Sequence, residues 1–144
     1  MAKEKLFQVG IKGLIEDAVG RVLLLKADTS KFKLQQKAYW DIPGGRIQEG
    51  QSVTEALQRE IAEETGIKKI AKAKFFTSVI SNHLIPLKDG KRAGLVLMIY
   101  KVKIPKESKI VLSEEHTGVE WVDKKEAAKR LSDKYPQEFI RQLL

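Results

Sequence analysis

The stretch REIAEETG, residues 59–66, carries three glutamates, Glu60, Glu63 and Glu64, in a chain whose formal net charge is +8. On a helix each residue turns about 100°, so with Val53 at zero, Leu57 falls at about 40°, Glu60 at about −20°, Glu64 at about 20° and Glu63 at about −80°. Glu60 and Glu64 then share the apolar face, where solvated charges would lie opposite it. Like charges four residues apart repel, and a charge near a buried face is costly unless paired. Arg59 can neutralise one carboxylate. A divalent cation would offset the rest: carboxylates at this spacing converge, and hard oxygen ligands suit Mg²⁺ or Mn²⁺. The plain alternative is a helix whose glutamates reach water or pair with lysines.

The elements that must position these residues are well marked. Ser52 is a good N-cap with Glu55 three residues on, and Gly66 fits a left-handed C-terminal position, so the spacing predicts a helix over 53–65. Before it stands IPGGRIQEGQ (42–51). Its proline and paired glycines, Gly44 and Gly45, make a close-approach turn at a strand end that leaves room for a ligand. Arg46 then offers a fork suited to phosphate.

Around this centre the chain reads as strands over 6–17, 21–28, 39–45, 74–84, 93–104 and 118–123, and helices over 124–131 and 136–144, with Pro136 in the first turn. Residues 29–38 read as a Lys-rich loop, and Asp89-Gly90 as a turn. Strands with interspersed helices predict an α/β fold, and apolar runs without clean alternation predict a mixed sheet covered on both faces. The 144 residues suit one domain, 1–144, with 42% hydrophobic and 32% charged residues. The absence of cysteine excludes disulfides and thiolate metal sites. The start, MAKEKLFQVG, has no apolar core of a signal peptide, and Ala93 to Tyr100 is too short to span a bilayer, so no membrane association and a cytoplasmic location are expected. The excess of 27 Lys and Arg over 19 Asp and Glu favours anionic partners or simply solubility; the lysines are scattered without interleaved aromatics, so no dedicated nucleic-acid site is expected. His83 and His116 read as isolated surface or structural residues, Trp40 and Trp121 as core or core-edge, and Tyr39 or Phe32 as possible stacking partners for a base.

Taken together, GRIQEGQSVTEALQREIAEETGI (45–67) resembles the Nudix box, the signature of the Nudix (MutT-like) hydrolases. Gly45, Arg59, Glu60, Ile61, Glu63, Glu64, Gly66 and Ile67 match the pattern in order and spacing, and the entry YWDIPGG is in the family's style. One position departs: the first box Glu is Gln51 here. The resemblance implies an αβα sandwich with a mixed β-sheet and a central catalytic helix. It implies hydrolysis of the diphosphate in a nucleoside triphosphate or another nucleoside diphosphate derivative, with Mg²⁺ or Mn²⁺ as cofactor and a nucleotide-type small molecule as partner. By resemblance Glu60 and Glu64 are metal ligands, Glu63 is a further ligand or part of the base network, and the carbonyl of Gly44 joins them. Arg59 organises the carboxylates. The water-activating base is Glu60 or a loop glutamate, here Glu115 in SEEHTGVEWV (113–122), which otherwise reads as a solvated loop acid. Arg46 and Gly45 face the substrate. No tyrosine lies between Ile67 and Tyr100, against a diadenosine-polyphosphate enzyme, and Pro86 supports an ADP-ribose or nucleoside diphosphate sugar pyrophosphatase weakly. Gln51 leaves open a non-catalytic nucleotide-binding module. Homodimers are common in the family.

Overall fold

The computed structural model describes residues 4–27 and 38–144. The loop expected over 29–38, except Ala38, and the stacking candidate Phe32 lie outside the described residues. The elements run β1 (Phe7–Ile15), β2 (Val22–Ala27), β3 (Trp40–Asp41), β4 (Gly44–Arg46), α1 (Val53–Thr65), β5 (Lys72–Ile80), β6 (Ile85–Pro86), β7 (Arg92–Lys103), β8 (His116–Val122), α2 (Lys124–Leu131) and α3 (Gln137–Leu143). They form two sheets in place of the one expected. A five-stranded sheet has the order β4-β1-β7-β5 with β6 added on β7, and a three-stranded sheet has the order β3-β2-β8. β1 and β7 are parallel and their other neighbours antiparallel, so the larger sheet is mixed.

The expected strand over 39–45 divides at Ile42-Pro43: β3 joins β2 in one sheet and β4 joins β1 in the other. Proline has no N–H for a ladder, yet its carbonyl still accepts the Gly13 N–H at 2.8 Å. Asp89-Gly90 does form a turn, and it folds β6 back onto β7. β8 begins at His116, two residues ahead of the expected start. Pro136 caps α3 from one position outside its first turn.

Period two along β1 and β2 explains why their apolar runs do not alternate with polar residues. Ile11 and Ile15 of β1, with Leu23 and Leu25 of β2, enter a core closed by Ala56, Leu57 and Ile61 of α1. Leu14, Val22 and Leu24 point the other way, into a second core closed by Leu131, Tyr135 and Phe139. Both faces of these strands are covered, so both parities are apolar.

The helix caps hold as read. Ser52 Oγ accepts the Glu55 N–H at 3.2 Å, and its hydroxyl donates to the Glu55 carboxylate at 3.0 Å. Gly66, at φ 75°, returns its N–H to the Ala62 carbonyl at 3.0 Å. α1 lies close over β1 because Gly13 is bare there: a Cβ at Gly13 would meet Ile61 Cδ1 at 2.8 Å. Among the described residues no helix is long and apolar enough to cross a membrane.

Ile61 therefore fixes the height of α1 over the sheet. Ile61→Ala is expected to lower unfolding free energy by about 2–5 kcal/mol, the range for removing a buried aliphatic side chain. Urea unfolding followed by circular dichroism measures it; a loss below about 1 kcal/mol would show that the sheet collapses onto the helix at no cost.

Candidate active site

α1 delivers its three glutamates to graded environments. Glu64 is buried, Glu60 keeps 12% of its side chain exposed and Glu63 keeps 58%. Glu60 and Glu64 thus lie toward the sheet, as the helical spacing requires, and Glu63 lies at the rim. Arg59 Nη2 pairs with Glu60 at 2.9 Å and Nη1 with Glu63 at 3.3 Å. Its Nη2 also donates to the amide oxygen of Gln51 at 3.4 Å, so Gln51 tethers the arginine without a charge.

The glycine pair is shaped to this helix. Gly44, at φ 151°, gives its N–H to Glu64 Oε2 at 2.7 Å, and a Cβ there would lie 2.0 Å from the Ile11 carbonyl oxygen. A Cβ at Gly45 would lie 2.5 Å from the Glu60 carboxylate. No larger residue fits either place. Burial pushes the Glu64 carboxyl up to about 8, against the pull of Lys12 and the Gly44 N–H. Burial also raises Glu60, against Arg59.

A second charged group lies under the cleft. Asp41 Oδ2 accepts Lys12 Nζ at 2.9 Å and Lys134 Nζ at 2.8 Å, while Oδ1 accepts the Tyr135 hydroxyl at 2.5 Å and the Ile42 N–H at 2.8 Å. All three charged side chains are buried. Burial alone would raise the Asp41 carboxyl, but the two ammonium groups hold it well below the usual carboxylate range. Burial opposes the charge on Lys12, yet Asp41 and Glu64 outweigh it and raise the ammonium; for Lys134 burial wins and lowers it. Lys12 Nζ also lies 3.5 Å from the Gly44 carbonyl, the oxygen expected to join a metal.

The cleft has two communicating halves. One, of about 950 Å³, is lined by Glu60, Glu63, Glu64, Arg59 and Gln48. The other, of about 460 Å³, is lined by Lys12, Tyr39, Asp41, His83, His116 and Lys134, with an apolar wall at Leu84 to Pro86, Leu95 and Leu97. Gly44, Gly45, Arg46, Glu64 and Glu115 border both. The residues predicted for catalysis, substrate and metal, with Tyr39, therefore line one cleft. Both histidines, read from the sequence as isolated surface or structural residues, lie at the cleft: His116 lines it with Nε2 at 3.9 Å from Glu64, and burial lowers its imidazole. His83 also lines it, its Nε2 3.0 Å from Asp133. Lys12, Asp41 and Lys134 were missed. A signal existed for Lys12: a lysine in VGIKGLI shares strand parity with buried Leu14.

Among the described residues no three carboxylate or imidazole groups converge as they stand into a metal cluster. The donor set nevertheless suits a hard divalent cation. Crowded carboxylates face a cleft, Glu60 is paired with Arg59, and burial opposes a charge on Glu64 that a bound cation would stabilise.

The fold and site define an α/β protein with a carboxylate-bearing helix docked against a glycine turn, over a cleft of two halves. The chain belongs to the Nudix family: the NUDIX domain profile matches residues 6–143. It is 34% identical over 59 residues to an 8-oxo-dGTP diphosphatase of Buchnera aphidicola, spanning 41% of this chain and 42% of that one. It is 38% identical over 74 residues to an ADP-ribose pyrophosphatase of Methanocaldococcus jannaschii, spanning 51% and 40%. The chain spans less than half the length of the first curated relatives it matches. The MutT protein structure from Methanosarcina mazei superposes with a TM-score of 0.66 at 23% identity, over 99% of this chain and 94% of that one. The αβ architecture with its central helix is thus the Nudix fold.

Asp41→Asn would leave two buried ammonium groups without the carboxylate they pair with, and is expected to cost about 3–5 kcal/mol. Because the Asp41 carboxyl is depressed in the fold, its contribution is present above about pH 4 and is lost as pH falls below that. Urea midpoints at pH 7 and pH 3 check this: the variant should show a smaller drop between the two than the parent chain.

Proposed function

We propose that this chain is a metal-dependent pyrophosphohydrolase that cleaves the diphosphate of a nucleoside triphosphate or another nucleoside diphosphate derivative. The observation that carries the reading is the convergence of Glu60 and Glu64 from α1, and Glu115 from the loop before β8, on one cleft that continues into a half-apolar cavity. Glu60, Glu63 and Glu64, with the Gly44 carbonyl, would hold Mg²⁺ or Mn²⁺. Bound there, the cation supplies charge neutralisation on the diphosphate oxygens.

The chain's own residues do the rest. Phosphoryl transfer asks for alignment and charge stabilisation more than for covalent help. Arg46, on the border of both halves, offers its guanidinium to phosphate; it now donates to Gln8 Oε1 at 2.6 Å and is otherwise exposed. Glu115, or Glu60, takes the proton of the attacking water. The water oxygen bonds to phosphorus, the bridging P–O bond breaks, and the leaving phosphate keeps the electron pair. Arg59 holds Glu60 and Glu63 apart and in register. Gln51 keeps the tether to Arg59 by its amide oxygen, which favours an active enzyme over a silent binding module.

The two relatives' names point to nucleotides with different attached groups. ADP-ribose or a nucleoside diphosphate sugar is the second reading, favoured by Pro86 on the wall of the smaller cavity. A cytoplasmic location and a homodimer belong to the same proposal.

The test is product formation from nucleoside triphosphates, ADP-ribose and dinucleoside polyphosphates with Mg²⁺, with Mn²⁺ and with EDTA. Turnover is expected with either metal and none with EDTA. Glu64→Gln should lower kcat/KM by about 10²–10³ through lost charge stabilisation. Glu115→Gln should lower kcat by about 10²–10⁴ if it is the base, and an unchanged rate would return it to the role of a solvated acid. Gln51→Glu should change kcat/KM by less than about tenfold, because the tether already exists.

A further inference from the structure

Lysines that read as scattered along the chain are gathered by the fold. Residues 68–74 hold Lys68, Lys69, Lys72 and Lys74 with no acid, and residues 101–109 hold Lys101, Lys103, Lys106 and Lys109 with one, Glu107. Eight lysines less one glutamate leave +7, out of a net charge of +8 for the whole chain. Pairing of β5 with β7 brings the two segments to one end of the larger sheet. The Ala71 N–H donates to the Lys103 carbonyl at 2.9 Å and the Val111 N–H to the Thr65 carbonyl at 2.8 Å, which holds the flanking turns at the same end. All eight lysines are exposed, and none lines either half of the cleft.

Four of them form an array. Lys72 stands directly across from Lys103 and Lys74 from Lys101, so all four share one face, about 7 Å apart along each strand. Like charges directly opposite each other destabilise a sheet. Among the described residues no carboxylate lies within ion-pair distance of any of the eight lysines. Glu16, one residue past the end of β1, pairs with Lys124 instead, at 3.8 Å. Protection of an open sheet edge accounts for charges on β5. It does not account for Lys101 and Lys103, because β7 is an inner strand between β1 and β5.

We propose that this array, with the lysines around it, is a docking surface for the phosphodiester backbone of a nucleic acid, separate from the cleft and independent of the hydrolase reading. A chain of phosphates supplies the repeated negative charge that the facing lysines lack. Backbone contacts fix position and carry no sequence information. The aromatic on this face supports that reading. Phe76 packs on the core under α2 and α3 and has Lys101 Nζ 4.6 Å from its ring centroid, so the ring props a lysine where a base would otherwise stack. A membrane surface would ask for an apolar anchor beside the charges. On the lysine face β5 and β7 offer none, since exposed Phe75 lies on the other face, across from Tyr100.

Fluorescence anisotropy with a labelled single-stranded RNA of mixed sequence makes the test, on the full chain, from about 50 to about 200 mM salt. The array variant combines Lys72→Gln, Lys74→Gln, Lys101→Gln and Lys103→Gln. A charge-matched control combines Lys5→Gln, Lys88→Gln, Lys91→Gln and Lys129→Gln, all exposed and elsewhere on the surface. Each phosphate contact on a single strand contributes about −0.7 to the slope of log affinity against log salt, so the array variant should lose about 3 of the parent's slope. At about 50 mM salt it should bind at least about tenfold more weakly, and the control less than about threefold. Because the facing charges are relieved, the array variant should melt no lower than the parent chain. Should it fail to fold, Lys101→Gln with Lys103→Gln decides, with half the change in slope. Equal losses in array variant and control overturn the proposal, since net charge alone would produce them. An unchanged slope, or no RNA binding by the parent chain, overturns it as well. Binding to phosphatidylserine vesicles that falls in the array variant while RNA binding does not would assign the surface to a membrane and overturn it too. Turnover of small nucleotides should be the same in the array variant as in the parent chain.

Discussion

The hydrogen bond from the Gly44 N–H to Glu64, 2.7 Å long, is the joint on which the site depends. It ties the last turn of α1 to the turn between the two sheets. A carboxylate this deep is tolerated only where donors reach it, because a buried acid without partners gives up its charge. Gly44 supplies a donor because its backbone runs at φ 151° against Ile11, where no side chain fits. Gly45 leaves the space that the Glu60 carboxylate fills. The two glycines therefore serve different ends: one aims a donor, the other clears a volume.

Beneath that joint the buried Lys12–Asp41–Lys134 cluster sets the field. Low dielectric makes each interaction there strong and each missing partner expensive. Asp41 resolves this by making four contacts, and its depressed titration follows from two neighbouring cations. Lys12 of this cluster acts on Glu64, and both Arg59 and Lys12 act on Glu60, so the α1 carboxylates share the field of these positive groups. The net charge of +8 on the chain is thus organised: part of it is buried at the cleft floor, where it bears on the glutamates directly.

The helix, its caps, the glycine turn and the graded burial of Glu60, Glu63 and Glu64 were legible because they rest on local spacing. Capping and helical phase involve residues a few positions apart. The division of 39–45 between two sheets was not legible, since Pro43 marks a break without saying where each half will pair. Asp41 finds Lys134 and Tyr135 at separations of 93 and 94 residues, and nothing local in YWDIPGG or DKYPQ announces that meeting. The place of His116 at the cleft was not legible for a related reason. Its isolation in sequence concealed that β8 begins at this residue and brings it beside Glu64. Lys12 was within reach, because a charged residue at a buried strand parity always asks for a partner.

The alternation of β1 between two cores has a consequence for how the chain finds its register. Ile11 and Lys12 are neighbours that face opposite layers, one aliphatic and one carrying Asp41. A slip of one residue against β7 would exchange them. The ammonium would then enter the aliphatic layer of Leu57 and Ile61 and lose its pairing with Asp41. A cleft lysine thereby acts as a checksum on strand pairing: the alignment that satisfies its charge is also the alignment that places Gly13 beneath α1.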